Sequence, residues 1–213
     1  MQVSWERNER NMKVIGITGG VGAGKTQVLH YLQERTECRI IIADQAAHAL
    51  EEPGGACYEQ LVALLGKGVL REDGSIDKFR MAARIFGDKE ILASVNAIVH
   101  PAVKTYITGV IEEVRKAGKP PYLFIEAALL IEDGYEQLVD ELWYIHADAA
   151  VRRERLKSDR GYDDEKIDSI MQGQLPEETF YSHCSVVIEN SGALEQVYRQ
   201  IDEKLEEDLC QKQ

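Results

Sequence analysis

Apolar residues along this chain fall into five short runs, separated by longer stretches in which they recur every three or four positions. The runs lie near 13–18, 39–43, 121–126, 141–146 and 185–188. They are rich in β-branched and aromatic residues and short enough to be strands buried on both faces. Helical spacing fills the intervals: from Lys25 past Leu32, then Gln45–Leu50, Tyr58–Leu65, Ile76–Phe86, Lys89–Val99, Val103–Ala117, Asp164–Gln174, Glu177–Cys184 and Leu194–Leu209. In the last of these, Leu194, Val197, Ile201 and Leu205 form the inward stripe. Asp77 and Asp88 stand where N-caps belong, His100-Pro101 falls between two helices, and Pro120-Pro121 stops the second. Strands alternating with helices predict an α/β fold with a mainly parallel sheet. Two interruptions stand out, a helical segment at about 56–118 without a good strand and an Arg-rich segment at about 150–182. Residues 1–11 are polar and read as a loose extension, with Met12 a second possible start, so 1–213 is expected to form a single domain.

The first run leads into the clearest chemical signal. Val14-Ile15-Gly16-Ile17-Thr18 breaks into Gly19-Gly20-Val21-Gly22-Ala23-Gly24 and resumes as Lys25-Thr26-Gln27-Val28-Leu29. Strand, glycine loop and helix are the context that makes G-x-x-x-x-G-K-[ST] a phosphate-binding loop. The backbone N–H groups of Gly20, Val21, Gly22, Ala23 and Gly24 would turn inward on a polyphosphate, and the helix behind them would point its positive end at the same anion. Lys25 is then placed for the β- and γ-phosphates and the Thr26 hydroxyl for Mg²⁺. The pattern alone arises by chance in roughly 1% of chains this long, and the flanking strand and helix reduce that further.

Composition narrows the classes. A net charge of −12 argues against a nucleic-acid or acidic-membrane binder, but not against a nucleotide substrate in a locally basic site. No apolar run approaches the length of a membrane span, and the first residues carry no signal-peptide core. The four cysteines, Cys38, Cys57, Cys184 and Cys210, are widely spaced and form no metal-ligand cluster, which reads as reduced thiols in the cytosol.

Three further places bear on chemistry. Asp44 follows the second strand; in a parallel sheet it would share an edge with the glycine loop, as ligand or catalyst, and it is equally a natural cap for the helix beginning at Gln45. Glu126 ends the third strand, where a partner of Mg²⁺ or of substrate belongs. Arg152, Arg153, Arg155 and Arg160 concentrate cationic charge in an acidic chain. They read either as a solvated helix paired to nearby acids or as a lid whose guanidinium groups close on transferring phosphate; Arg152 and Arg155 share a helix face. His100 reads first as a structural hydrogen-bonding residue.

Taken together, IGITGGVGAGKT, ADQAAHAL, DGSID, ARIF, VNAIVHPAV, IEAALLIEDGY, RRERLKSDRGY, QLPEE and VVIENSG, in this order from about Met12 to the final helix, resemble the dephospho-coenzyme A kinase family. The resemblance implies a P-loop NTPase three-layer fold with a five-stranded parallel sheet, a helical CoA-binding insertion and an Arg-rich lid. It implies ATP-dependent phosphorylation of the ribose 3′-hydroxyl of dephospho-CoA, with ATP and Mg²⁺, in the cytoplasm, by a monomer or small homo-oligomer that uses neither nucleic acid nor membrane. Gly22 to Gln27 would line the ATP phosphates and Asn190 the adenine side. Asp44 would activate the hydroxyl, with Lys25, Arg152, Arg155 and Arg160 as the cationic machinery. Asn96 and His100 would hold the CoA moiety, with Glu126 on the acceptor side. The family commonly has Asp-Ala-Asp where this chain has Ile42-Ala43-Asp44, a basic residue at Phe180 and Asp at Ser185. Alternatives are another small-molecule kinase of the nucleoside or nucleotide type, or a non-catalytic ATP-binding module. The guanine-reading Asn-Lys-x-Asp and the Leu-Ser-Gly-Gly-Gln signature are absent from the sequence.

Overall fold

The computed structural model describes residues 12–210; the expected loose extension at 1–11 lies outside them. Five strands form one parallel sheet: β1 (Lys13–Thr18), β2 (Cys38–Ile42), β3 (Tyr122–Glu126), β4 (Glu141–His146) and β5 (Val186–Glu189), in the order β2-β3-β1-β4-β5. Helices α1 (Lys25–Arg35), α2 (Ala43–Glu51), α3 (Tyr58–Leu65), α4 (Lys78–Ile85) and α5 (Lys89–Ala117) precede β3; α6 (Ala149–Arg160), α7 (Asp164–Gln172) and α8 (Glu177–His183) join β4 to β5, and α9 (Leu194–Cys210) follows.

β1 is the central strand, in register with β3 from Lys13↔Tyr122 to Ile17↔Glu126 and with β4 from Ile15↔Glu141 to Thr18↔Tyr144. Central parallel strands are covered on both faces, which is why these runs are continuously apolar rather than alternating. Ile15, Ile17, Phe124 and Trp143 are fully buried, and the Phe124 and Trp143 rings meet edge to face. Each such side chain contributes about 1.5–3 kcal/mol of hydrophobic stabilisation. β5 lies at the edge and alternates buried and exposed, as a strand with one covered face does. On α1 the buried residues are Val28, Leu29 and Leu32; α9 buries Val197, Ile201 and Leu205, with Leu194 half-buried. These two helices meet through stacked Tyr31 and Tyr198 rings.

The chain divides into two compact units, one from Met1–Ile40 with Val114–Gln213, the other Ile41–Glu113. Within the second, Asp77 caps α4 by accepting from the N–H groups of Phe79 and Arg80, and Asp88 caps α5 by accepting from Glu90 and Ile91. Among its described residues the only β pairing outside named strands is the bridge between Leu70 and Ile76. One expectation is corrected: the helices expected on either side of His100-Pro101 are a single helix, with Pro101 inside α5. A buried stripe of Val95, Val99, Val103 and Ile107 runs unbroken past the proline, and its burial outweighs the lost backbone bond.

Candidate functional site

At the carboxyl end of β1 the chain leaves the sheet through Gly19–Gly24 and enters α1. Gly22 and Gly24 have φ of 84° and 91°, left-handed values that a residue with a Cβ reaches only with strain. Ala23 N–H donates to the Gly20 carbonyl at 3.1 Å, closing the loop, and Gln27 N–H donates to Gly24 at 3.0 Å. Gly24 is the N-cap of α1, and no side chain caps this helix, so its first-turn N–H groups face an incoming anion. Thr26 and Gln27 are exposed on that first turn. The Lys25 ammonium donates to the Gly19 carbonyl at 2.8 Å and lies 3.6 Å from Glu126 Oε1 at the end of β3. Glu126 therefore stands beside the loop lysine.

The Arg-rich segment separates into two groups. Arg153, half-buried, pairs with the exposed Asp164 and Asp168, and the exposed Lys157 pairs with Asp164; here the solvated-helix reading holds. Arg152 and Arg155 turn instead onto the glycine loop. Arg152 Nε donates to the Val21 carbonyl at 3.0 Å and its Nη2 to Gln174, and a Cβ on Gly20 would fall on its guanidinium. Arg155 donates to the carbonyls of Gly22 and Ala23 at 3.4 Å and of Asn190 at 2.8 Å. Among the described residues no carboxylate lies within 4.0 Å of either guanidinium, and burial pulls Arg152 below its ordinary value. Cations that meet only carbonyls are underused, and phosphate oxygens would complete them. Arg160 is exposed at the last turn of α6, apart from this group.

Asn190 follows β5 and is buried. Its N–H donates to the His146 carbonyl at 2.8 Å and its amide to the Ala23 carbonyl at 2.7 Å. Among the described residues the buried Asn190 Oδ1 and Thr18 Oγ1 have no hydrogen-bond partner, and both adjoin the loop. Phe180 stacks on Tyr144 with ring centroids 4.8 Å apart and fastens α8 to β4.

Asp44, Asn96 and His100 belong to the second unit. Asp44 is exposed in the first turn of α2, whose N-cap is Ile42; the cap reading is thereby corrected, because the helix starts at Ala43, one residue before the aspartate. Asn96 and His100 are half-buried and four residues apart, on one face of α5.

Sequence reasoning passed over His146, Gln174 and Glu189. His146 and Glu189 end strands as Glu126 does, and the rule that ligands gather beyond the carboxyl ends of parallel strands could have found both.

The family model for dephospho-CoA kinase matches residues 13–196. A dephospho-CoA kinase of Geobacter sulfurreducens is 34% identical over 192 residues, 90% of this chain and 96% of that protein. The crystal structure of TT1252 from Thermus thermophilus superposes with a TM-score of 0.77 at 27% identity, covering 93% of this chain and 98% of that one. A dephospho-CoA kinase structure from Campylobacter jejuni gives 0.64 at 17% identity, covering 92% and 97%, a likeness of fold.

Proposed function

The chain belongs to the dephospho-CoA kinase family, and on that premise we propose that it transfers the γ-phosphoryl group of ATP in line to the ribose 3′-hydroxyl of dephospho-CoA, giving coenzyme A and ADP. The observation that carries the reading is the gathering of Lys25, Arg152 and Arg155 around a backbone loop shaped for polyphosphate, in a chain of net charge −12. Phosphoryl transfer needs positioning and charge neutralisation more than covalent chemistry. Lys25 holds β- and γ-oxygens. Arg152 and Arg155 neutralise the charge that grows on the bridging oxygen as its bond to the γ-phosphorus breaks. Asp44 orients the acceptor hydroxyl and takes its proton late, as the new oxygen–phosphorus bond forms. Asn190 serves the adenine side, and Asn96 and His100 hold the CoA moiety, while the exposed Arg160 joins the others when the lid closes.

The exposed Thr26 hydroxyl and the Glu126 carboxylate are oxygen donors of the hard type that Mg²⁺ takes, few in number because this ion keeps most of its ligands as water and phosphate. Bound there, Mg²⁺ would supply further neutralisation of the phosphate oxygens. The chain is taken to work as one catalytic domain, a monomer or small homo-oligomer, and its four free thiols fit the reducing cytosol.

The test is ADP release from Mg·ATP with and without dephospho-CoA, with AMP, uridine and shikimate as controls. Turnover with dephospho-CoA alone, yielding a 3′-phosphorylated product, is the expected result. Turnover with another acceptor would keep the kinase and overturn the acceptor. ATP binding without acceptor-stimulated turnover would favour a passive nucleotide-binding module.

A further inference from the structure

Beside the phosphate loop lies a group that the proposed transfer does not use: a histidine held between two carboxylates. His146 is the last residue of β4, its side chain 11% exposed. Its Nδ1 meets Glu189 Oε2 at the end of β5, and its Nε2 lies 2.6 Å from Glu177 Oε1 in the first turn of α8. Tyr144 stands edge-on to the ring at 5.6 Å and Tyr181 is tilted beside it at 6.1 Å. A neutral imidazole carries one N–H and one lone pair. Both contacts are attractive only if the ring is doubly protonated or one carboxylate carries a proton. The three groups therefore share one proton beyond the neutral ring with two ionised carboxylates, and when it leaves, one of the two links fails.

The links differ in strength. Ser191 also donates to Glu189, from its N–H at 2.8 Å and from its hydroxyl, and the Ser191 hydroxyl accepts from the Asp148 N–H at 2.8 Å. Burial works against ionised Glu189, but the bonds from Ser191 and His146 outweigh it and hold the carboxyl below its ordinary value. Glu177 and Glu189 are alike half exposed, but Glu177 has the Tyr181 phenol beside it where Glu189 has the two bonds from Ser191. Glu177 is thus the arm that lets go. It opens α8 three residues beyond Gln174, which accepts from Arg152, and Arg152 in turn donates to Val21 of the loop.

We propose that His146 is a positioning residue that couples the Arg-rich lid to the phosphate loop through one titratable proton. With the proton present it draws in Glu177, and with it the Gln174–Arg152 arm seated on Val21; with the proton lost, that arm is released. The inference rests on the phosphate-loop reading above. The ionisable groups facing the ring are Glu189 from β5, Glu177 and Tyr181 from α8 and Tyr144 from β4 itself; behind them Arg152 acts on Tyr144 and Glu177, and Asp148 on Tyr181. Burial pushes the Tyr144 phenol up to about 12, so it remains neutral throughout. The seated state belongs to the lower pH and is lost as pH rises.

The test is the Kd of the full chain for Mg·ATP by calorimetry from about pH 6 to about pH 9. Wild type is compared with Glu177→Gln and His146→Phe. A glutamine amide donates to the bare Nε2 of a neutral ring while Nδ1–H stays on Glu189, so Glu177→Gln keeps the bridge without the extra proton. Wild-type binding should weaken with rising pH by roughly fivefold or more relative to Glu177→Gln, the low end of coupling between linked sites. His146→Phe, which retains the aromatic packing, should bind weakly at every pH, and both variants should show only the titration of ATP itself. Superimposable pH profiles for wild type and Glu177→Gln would overturn the proposal, as would wild-type affinity in a folded His146→Phe. Wild type that binds ATP at no pH would instead overturn the phosphate-loop reading, and the inference with it.

Discussion

Lys25 is held by the Gly19 carbonyl, which fixes its direction, and lies beside Glu126, which balances its charge. On the proposed reading, a phosphate arriving at the loop meets an ammonium already aimed. Lys25→Ala should therefore lower kcat by about 10²–10³-fold, the usual loss for one preorganised donor, and leave Tm near wild type. The arginines offer a sharper contrast, because the same short helix carries both kinds. Arg155→Ala removes a guanidinium that touches loop carbonyls and should cut kcat with little change in KM, as expected of an interaction made chiefly in the transition state. Arg153→Ala removes only exposed ion pairs and should stay within about twofold of wild type. Equal losses in the two variants would make the helix a general electrostatic surface. For Asp44, the expected effect of Asp44→Asn is a fall in kcat of about 10²-fold at unchanged Tm, in line with loss of a general base. Near-normal turnover would remove it from that role.

At the scale of elements, α5 is where local signals and packing disagree. Pro101 lacks the N–H that would reach the Ala97 carbonyl, and proline biases the residue before it away from helix. The helix continues because Val95, Val99, Val103, Ile107, Val110 and Val114 are all buried along it. Burial of that stripe, about 1.5–3 kcal/mol for each side chain, exceeds the roughly 3 kcal/mol that one interior proline costs. Pro101 is itself exposed, so Pro101→Ala meets no packing obstacle and should raise stability by about 1–2 kcal/mol, read as a higher urea midpoint at unchanged slope. A lower midpoint would mean that the proline fits a bend the second unit needs. The same conflict explains what was legible in the chain. The five strands, the glycine loop and the caps at Asp77 and Asp88 depend on local pattern and were readable. The continuity of α5, the division of Arg152 and Arg155 from Arg153, and the seat of Glu126 beside Lys25 depend on which residues meet across the fold. His146 was invisible for another reason: a single polar residue ending an apolar run carries no signal until Glu177 and Glu189, distant in sequence, are brought to its two nitrogens.

Across the whole molecule, twelve excess negative charges make each partly buried cation consequential. One set serves the loop after β1; at the other end of the same strand stands Lys13, whose ammonium lies 3.0 Å from Glu141 at the start of β4 and 2.6 Å from Asp208 of α9. It closes the sheet and the last helix on each other. Asp208 is buried, and among the described residues its Oδ2 has no hydrogen-bond partner, so the lysine is its main compensation. Partial burial works against the ammonium, but the bonds to Asp208 and Glu141 outweigh it and hold Lys13 above its ordinary value. A cation whose folded value is raised contributes fully below its unfolded value of 10.5 and loses that contribution as pH climbs through the folded one. Lys13→Met should thus cost about 3 kcal/mol at neutral pH, because two carboxylates are left facing each other without a counter-charge. That gap should hold unchanged into mildly alkaline solution and narrow only beyond 10.5. Adding Asp208→Asn to Lys13→Met should recover much of the loss, since the amide carries no charge to strand. If the double variant is no more stable than Lys13→Met alone, the lysine acts through the packing of its aliphatic stem, and the closure of β1 on α9 is apolar rather than electrostatic.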